Sequence, residues 1–333
     1  MSEAQRSRGE ERVPTLGWLG GLLLLALLIL VVTHFAEERD LARLVEESQP
    51  WWLVAAVVLQ ALTYLLAAAI WQRALVYQGV RQGLWSLVPV GLAKLFTDQA
   101  VPSAGLAGTL FVVRLLERRG VSRATAIATL LAGLLGFYVA YFVSTAAAVV
   151  IVWAEQELSA VLLVPAALVG LITVGMPLAV LTLRRRVTRG APGWLTRVPG
   201  VRDAVTMLAD SAGAPLVSRR LLLETTLLQL GIFLLDSLTL DAALRAVGNP
   251  TPTSVALASF VFASVVATLT WVPGGLGTFE GTCVAMLHLH GVPIHAGLAG
   301  TLLLRGLTFW LPMVPGFAMA RWEVRHGGQQ PLP

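Results

Sequence analysis

Charged side chains are scarce in this sequence. They make up 13% of the 333 residues, against about 25% in soluble domains. Hydrophobic residues make up 56%, so too few polar residues remain to cover a water-facing surface. This shortage excludes an ordinary soluble globular protein. It predicts an all-α integral membrane protein that keeps most of its length inside a bilayer.

Several kinds of site are also absent. The single cysteine, Cys283, excludes an internal disulfide and a CxxC metal or redox site. The spacing of His288, His290 and His295 matches no metal motif. There is no phosphate-binding Walker loop, nucleophile elbow or HExxH sequence, and no loop is long enough for a soluble catalytic domain. We therefore predict neither an enzyme nor a cofactor or metal site.

The net charge of +5 raises the question of nucleic-acid binding. The arginines lie between apolar blocks, where they set the orientation of a membrane protein. No basic face with interleaved aromatic residues occurs outside those blocks, so no nucleic-acid partner is expected.

The apolar blocks predict the membrane spans. A helix needs roughly 20 apolar residues to cross a hydrocarbon core of about 30 Å. Six blocks are long enough and predict six transmembrane helices, over residues 14–34, 50–72, 122–153, 158–182, 217–240 and 293–322.

Two further apolar stretches are interrupted. The stretch 84–116 breaks at residues 98–105, which include Pro102, and the stretch 253–289 breaks at residues 273–277. Proline removes a helical N–H and glycine relaxes the backbone, so each break should end one helix and start another. Half-length helices joined in this way predict two re-entrant hairpins.

The distribution of arginines favours this reading. With a cytoplasmic N-terminus and two re-entrant hairpins, the clusters at 114–123 and 184–202 both face the cytoplasm, as the positive-inside rule requires. A single crossing at the first break would place basic loops outside. Two alternatives are harder to exclude: both interrupted stretches could be full spans, or each could be split into two crossings. We predict a multi-pass protein of the cytoplasmic membrane of a prokaryote, with both termini in the cytoplasm.

The two halves of the sequence resemble each other. Leu59-Gln60 matches Leu228-Gln229, and Gly79 matches Gly248 at the same offset of 169. After a two-residue slip, Val101-Pro102 matches Val272-Pro273 and Gly120-Val121 matches Gly291-Val292. Under the predicted topology the repeated spans run in opposite directions. The sequence thus predicts an inverted repeat, which is typical of secondary transporters.

These features define one transmembrane domain over 1–333. Its parts are an arm, first span and outer loop (1–48), a first repeat with a linking span (49–182), a cytoplasmic loop (183–216), a second, inverted repeat (217–325) and a tail (326–333). Within the cytoplasmic loop, residues 190–215 fit either an interfacial helix or a partly ordered loop.

The hairpin tips are candidate anion-binding sites. The N-terminus of each second arm would lie inside the membrane, where free N–H groups and the helix dipole attract negative charge. Glycines would let a ligand approach the backbone, although they also suit tight helix packing. The candidate tip residues are Pro102, Gly105, Pro273, Gly274, Gly275 and Gly277.

Ionisable residues inside the spans are the other candidates. Arg305 lies near the middle of the last span, and Glu280, just after the second tip, is its natural partner. Lys94 and Asp98 lie one helical turn apart and can pair with each other. Asp236 lies within the span 217–240, where it needs a hydrogen-bond donor. Its role is either in a binding site or structural.

The segment from Trp271 to Glu280, with Leu303-Leu304-Arg305 and Phe309-Trp310-Leu311-Pro312 after it, resembles the flippase-like transmembrane region of lysylphosphatidylglycerol synthases. Members of that family usually have an acidic residue after the glycine of the first break. This chain has Gly105-Leu106-Ala107-Gly108 there instead. The resemblance implies translocation of aminoacylated phosphatidylglycerol or of polyprenyl-phosphate-linked sugars. These residues do not resemble the synthase's soluble aminoacyl-transferase domain, so we do not expect them to carry out the synthesis itself.

The leading hypothesis is therefore a flippase for a lipid with an anionic headgroup, with membrane lipids as its partners. Its alternatives are an ion-coupled transporter of a small soluble anion and a non-transporting membrane subunit for a glycosyltransferase or another lipid-modifying enzyme. A pocket sealed from lipid would favour the soluble anion, and a lateral opening would favour the lipid.

Overall fold

The computed structural model describes residues 49–100, 106–154, 160–187, 218–270 and 273–326. Those residues form helices joined by short turns, with no strand among them. The helices are α1 (Pro50–Tyr77), α2 (Leu84–Ala100), α3 (Leu106–Arg118), α4 (Arg123–Ala154), α5 (Ala160–Val187), α6 (Arg219–Ala246), α7 (Thr253–Leu269), α8 (Thr278–Leu289), α9 (Ile294–Arg305) and α10 (Leu311–His326). A short 3₁₀ turn, Pro273–Gly275, precedes α8, and a π-helical segment, Gly306–Trp310, joins α9 to α10.

Five stretches of helix are long and apolar enough to cross a membrane. They coincide with five of the six predicted spans, and they run Pro50–Tyr77, Arg123–Ala154, Leu163–Leu183, Arg219–Ala246 and Ile294–Trp322. Large apolar side chains point outward from them, such as Val54, which is 64% exposed, and Leu171, which is 70% exposed. Such a surface suits hydrocarbon. The predicted first span (14–34) and the segment 190–215 lie outside the described residues.

The helix boundaries recur along the chain. Adding 169 to the bounds of α1 (Pro50, Tyr77) gives Arg219 and Ala246, the bounds of α6. The same shift converts the bounds of α2 into those of α7. A shift of 171 then converts the start of α4, Arg123, into the start of α9, Ile294. We call α1–α4 the first half and α6–α10 the second half.

The turns at these boundaries have the same geometry in both halves. Gly79 and Gly248 have φ of 80° and 77° after α1 and α6. Gly120 and Gly291 have φ of 80° and 83° after α3 and α8. Such left-handed positions at a helix end favour glycine, because a Cβ would be strained there. The local chemistry that ends each helix is therefore repeated.

Helices α1 and α6 pack against each other and run antiparallel. Gln49, at the start of α1, donates its backbone N–H to the carbonyl of Ala246, the last residue of α6, at 3.1 Å. Further along, a Cβ on Gly231 of α6 would lie 3.0 Å from Leu66 of α1. The two corresponding helices thus cross near their midpoints in opposite directions.

Each interrupted stretch folds into a pair of packed helices, α2 with α3 and α7 with α8. In the first pair, the Arg119 guanidinium donates to the carbonyl of Ser86 at 2.7 Å. The end of α3 therefore returns to the start of α2.

One boundary differs from the prediction. Asp98, Gln99 and Ala100 belong to α2 rather than to the break. The chain departs from helical conformation most readily at the residue just before a proline, so a helix can extend to Ala100. Pro102 and Gly105 lie outside the described residues.

Candidate substrate site

The tip of the second hairpin is built from glycines in left-handed conformations. Gly274, Gly275 and Gly277 have φ of 65°, 63° and 80°. A Cβ on Gly274 would lie 2.7 Å from the ring of Phe309, and one on Gly275 would lie 2.6 Å from the Cβ of Ala267. Two of these glycines are thus required by packing as well as by conformation. The hydroxyl oxygens of Thr270 and Thr278, on either side of the tip, lie 3.0 Å apart and form a hydrogen bond.

The predicted pairing of Arg305 with Glu280 is present. Arg305 Nε donates to Glu280 Oε1 at 2.7 Å, and an Arg305 terminal nitrogen donates to the Gly274 carbonyl at 2.7 Å. Glu280 Oε2 accepts the backbone N–H of Gly277 at 2.6 Å. Both side chains are 11% exposed. The arginine therefore fastens α9 to the hairpin tip, and the glutamate neutralises it.

Two aromatic rings complete the surroundings of Arg305. Its guanidinium carbon lies 5.1 Å from the ring centre of Phe279 and 4.7 Å from that of Phe309. These are cation–π distances. In this conformation the guanidinium is held by protein groups, and the N-terminal end of α8 is met by the Glu280 carboxylate. Anion binding here would require the pair to separate.

A comparable ion pair lies at the contact between the two helices that flank the first break. Lys94 and Asp98 form the predicted ion pair within α2. The other oxygen of Asp98 accepts the backbone N–H of Gly108, in the first turns of α3, at 3.1 Å. A Cβ on Gly108 would overlap that carboxylate. Each tip thus brings a carboxylate, a cation and a backbone N–H together.

A π-helical segment follows Arg305, and Pro312 explains its register. The N–H of Leu311 bonds to the Gly306 carbonyl, five residues back. In this register the Leu307 carbonyl would be served by residue 312, but proline has no N–H. The Tyr64 hydroxyl of α1 donates to the Leu307 carbonyl instead, at 3.0 Å. Such π segments often occur at functional sites.

A cavity of about 610 Å³ lies in the first half. Its walls come from α1 to α5, with Gln229 added from α6. Most of the lining side chains are apolar. The polar ones are Tyr64, Lys94, Thr109, Tyr138 and Gln229. Lys94 is the one fully charged side chain among the lining residues, so the cavity suits a ligand with an apolar part and a negative group.

Three counterparts of cavity-lining residues are fully buried in the second half. Trp71, Leu92 and Gly133 line the cavity. Their counterparts, Leu240, Val261 and Leu304, are 0–1% exposed. Two further lining residues, Thr109 and Leu134, have Glu280 and Arg305 as their counterparts at an offset of 171. The Arg305–Glu280 pair therefore occupies positions that line the cavity in the first half. We call Phe233, Asp236, Glu280, Thr301 and Arg305 the mirror region.

Comparison with known families identifies the group to which the chain is related. The model of the family described as "Lysylphosphatidylglycerol synthase TM region" matches residues 18–316. The chain belongs to this family. No curated protein sequence matches the chain. The match covers both interrupted helix pairs, four of the five described spans in full and the fifth as far as residue 316. This lysylphosphatidylglycerol synthase transmembrane-region protein is therefore a multi-pass membrane protein of a flippase-like family.

In this family member, Asp236 lies at the interface of α6 with α1. Its neighbours from α1 are Gln60 and Tyr64. Asp236 Oδ1 is buried, with no hydrogen-bond partner among the described residues. Asp236 is therefore buried, as predicted, but its Oδ1 atom lacks a hydrogen-bond donor among the described residues.

The structure groups the predicted residues into separate clusters. Gly274, Gly277, Glu280 and Arg305 meet at the second tip, and Lys94 with Asp98 forms the first. Four polar residues of the cavity wall were not predicted: Tyr64, Thr109, Tyr138 and Gln229. A usable signal existed, because a polar residue in the middle of an apolar span is costly unless it has a role.

Proposed function

We propose that this protein moves a lipid with an anionic, phosphate-bearing headgroup across the cytoplasmic membrane. The main support is the cavity of about 610 Å³, in which Lys94 lies among mostly apolar walls. Ligand pockets for small molecules typically measure about 300–1,000 Å³. This cavity therefore fits a headgroup better than a whole lipid, whose acyl chains would stay in the bilayer.

A lateral route for the acyl chains supports a lipid over a soluble anion. Helix α5 contributes Met176 and Val180 to the cavity wall, and its main packing partners are α4 and α7. On the other side of the cavity, α1 and α2 pack against each other. We propose that lipid tails leave the cavity between α5 and the α1–α2 pair.

The recurrence of helix boundaries supports transport by exchange between two states. We propose that the halves form an inverted repeat of two re-entrant hairpins, with the termini on the cytoplasmic side. In an inverted repeat, each half can adopt the conformation of the other, and access to a central site then alternates between the faces. The present cavity would close while the mirror region opens around Arg305 and Glu280.

The two ion pairs have matching roles in this scheme. Both pairs are formed in this structure, so in each state the headgroup phosphate would have to displace the carboxylate of the pair that borders the open cavity. Lys94 lines the open cavity in this structure. Arg305, which is bound to Glu280 and to Gly274, would receive the headgroup once the mirror region opens. The phosphate thus replaces a carboxylate that the tip already binds.

Lipid movement in reconstituted vesicles tests this function. The probe is acyl-labelled fluorescent phosphatidylglycerol, with labelled phosphatidylcholine as the zwitterionic comparison, and a membrane-impermeant quencher reports the leaflet. Lys94→Met should slow phosphatidylglycerol movement about tenfold or more, since a hydrogen bond to a charged group contributes about 1.5–3 kcal/mol. Arg220→Met is the matched control, because the Arg220 side chain is 88% exposed.

Two results would contradict the proposal. Equal rates for the two lipids, unaffected by Lys94→Met, would show that the cavity does not select the anionic headgroup. Uptake of radiolabelled phosphate by the same vesicles, without movement of either lipid, would instead support a transporter of a small soluble anion.

A further inference from the structure

Two buried acceptor oxygens at the α1–α6 interface have no donor within the part of the chain that the structure describes. They are Asp236 Oδ1 and Gln60 Oε1, both without a partner among the described residues. The Gln60 amide nitrogen donates to Thr63 Oγ1 at 2.9 Å. An acceptor buried without a donor is destabilising, and more so if it is charged. Gln60 is also a hydrogen-bonding neighbour of Asp236, yet Asp236 Oδ1 itself has no donor among the described residues. A proton on that carboxyl would supply one.

The elements packed around α6 supply no free cation to Asp236 within the described part of the chain. From α1, Gln60 and Tyr64 are its neighbours. The sequence of α7 contains no charged residue. The Tyr141 hydroxyl of α4 pairs with Thr268, and Arg305 of α9 is bound to Glu280. The other ionisable side chains of α6 and of these elements in the described residues are Arg73, Tyr77, Arg123, Tyr138, Arg219, Arg220, Glu224, Asp241, Arg245 and His295.

The position of Asp236 connects it with the exchange between two states. Its counterpart in the first half, at an offset of 169, is Ala67, which lines the open cavity. Likewise the counterpart of Gln60 is Gln229, another lining residue. When the mirror region opens, Asp236 should therefore meet water. In the present conformation its Oδ1 is buried.

We propose that Asp236 is a proton-binding site whose occupancy selects between the two states of the protein. This inference rests on the two-state exchange of the proposed function. The carboxylate takes a proton from water while the mirror region is open. The resulting carboxylic acid supplies the missing hydrogen when the region packs, and the proton returns to water when the region reopens. A buried carboxylate without a cation is too costly to pack unprotonated.

Cysteine labelling measures the opening of the mirror region without any lipid substrate. Thr301 is 0% exposed, and its counterpart Leu130 lines the open cavity. In a Cys283→Ala background, Thr301→Cys is reacted with a methanethiosulfonate reagent over a range of pH. Ser254→Cys, at an exposed position of α7, corrects for the intrinsic pH dependence of the thiol reaction.

After that correction, labelling of Thr301→Cys should slow as pH falls, by up to about tenfold per pH unit where Asp236 titrates. Asp236→Asn should be slow at every pH, because the amide cannot lose the proton. Asp236→Glu should keep the pH dependence of labelling, with a shifted midpoint. Because it retains a carboxyl group, it keeps the test valid if Asp236→Asn fails to fold. Corrected labelling that is independent of pH, or a response that persists in Asp236→Asn, would overturn the proposal.

Lipid movement is measured in the same vesicles, so a failure of the proton-site proposal can be distinguished from a failure of the proposed function. If no lipid moves but labelling depends on pH through Asp236, the proton site stands and the proposed function is wrong. If lipid moves and Asp236→Asn changes neither measurement, the function stands and the proton site is wrong.

Discussion

The hydroxyl of Tyr64 and the carbonyl of Leu307 join the cavity wall of the first half to the segment that carries Arg305. The hydroxyl donates at 3.0 Å, and Tyr64 itself lines the cavity. Because Pro312 provides no N–H, the tyrosine is the group that serves this carbonyl in the π register. A ligand that displaced Tyr64 would therefore disturb the turn next to Arg305.

Tyr64→Phe should destabilise the protein through this carbonyl. The expected loss is about 1–3 kcal/mol, the cost of leaving a buried acceptor without a donor. Pro312→Ala restores a backbone N–H, so Tyr64→Phe should cost little in that background. A double-mutant cycle on detergent unfolding should give a coupling of at least about 0.5 kcal/mol. Strictly additive effects would show that proline does not set the register.

Breaking the Arg305–Glu280 pair should cost more than removing it entirely. Arg305→Ala or Glu280→Ala alone leaves a charge uncompensated and should cost about 3–5 kcal/mol. The double variant Arg305→Met/Glu280→Leu should cost less than either single variant, because no charge remains. Thermal unfolding in detergent measures the series. Arg220→Ala breaks the exposed pair with Glu224 and should change stability by about 0–1 kcal/mol. A loss as small as that for Arg305→Ala would contradict the prediction.

Much of this fold follows from the sequence because bilayer thickness constrains helix length. The five described spans and the break at Pro273–Gly277 were predictable from apolar length and from the backbone chemistry of proline and glycine. The Arg305–Glu280 pair was also predictable, since a charge inside a membrane needs a partner.

The cavity was not predictable in this way. Its wall combines residues as distant as Tyr64 and Gln229, and which of two equivalent halves is open depends on packing rather than on local pattern. The π segment had a readable cause in Pro312, but its partner Tyr64 lies 243 positions away in the sequence.

The glycines of the second tip should differ in their tolerance of alanine. Gly277→Ala meets nothing within 4 Å and should cost only the left-handed strain of roughly 1–2 kcal/mol. Gly275→Ala adds the overlap with Ala267 and should cost more. The matched control is Gly281→Ala, also in open space but within α8, which should be neutral or up to about 1 kcal/mol stabilising. Unfolding temperatures would test the order, and equal effects at 275 and 281 would contradict it.

Labelling can also test the proposed re-entrant topology. Gly83→Cys and Ser122→Cys place thiols just before and just after the two helices of the first hairpin, at the proposed cytoplasmic surface. Ser254→Cys places one at the start of the second hairpin. In a Cys283→Ala background, an impermeant maleimide should reach Ser254→Cys from outside intact cells and the other two only after the cells are opened. Labelling of Gly83→Cys and Ser122→Cys from opposite sides would instead show that the first hairpin crosses the membrane.

Filling the cavity should stop transport without unfolding the protein. Gly91 lines the cavity, and the nearest atom that an added Cβ would meet is in the Trp71 ring, at 3.9 Å. Gly91→Phe should therefore project its ring into the space proposed for the headgroup. Gly175→Phe is the control, since Gly175 also has open space beside it but does not line the cavity. We expect phosphatidylglycerol movement to fall about tenfold or more in Gly91→Phe, because a ring and a headgroup cannot share this volume, and to persist in Gly175→Phe. Unchanged movement in a well-folded Gly91→Phe protein would place the lipid path elsewhere.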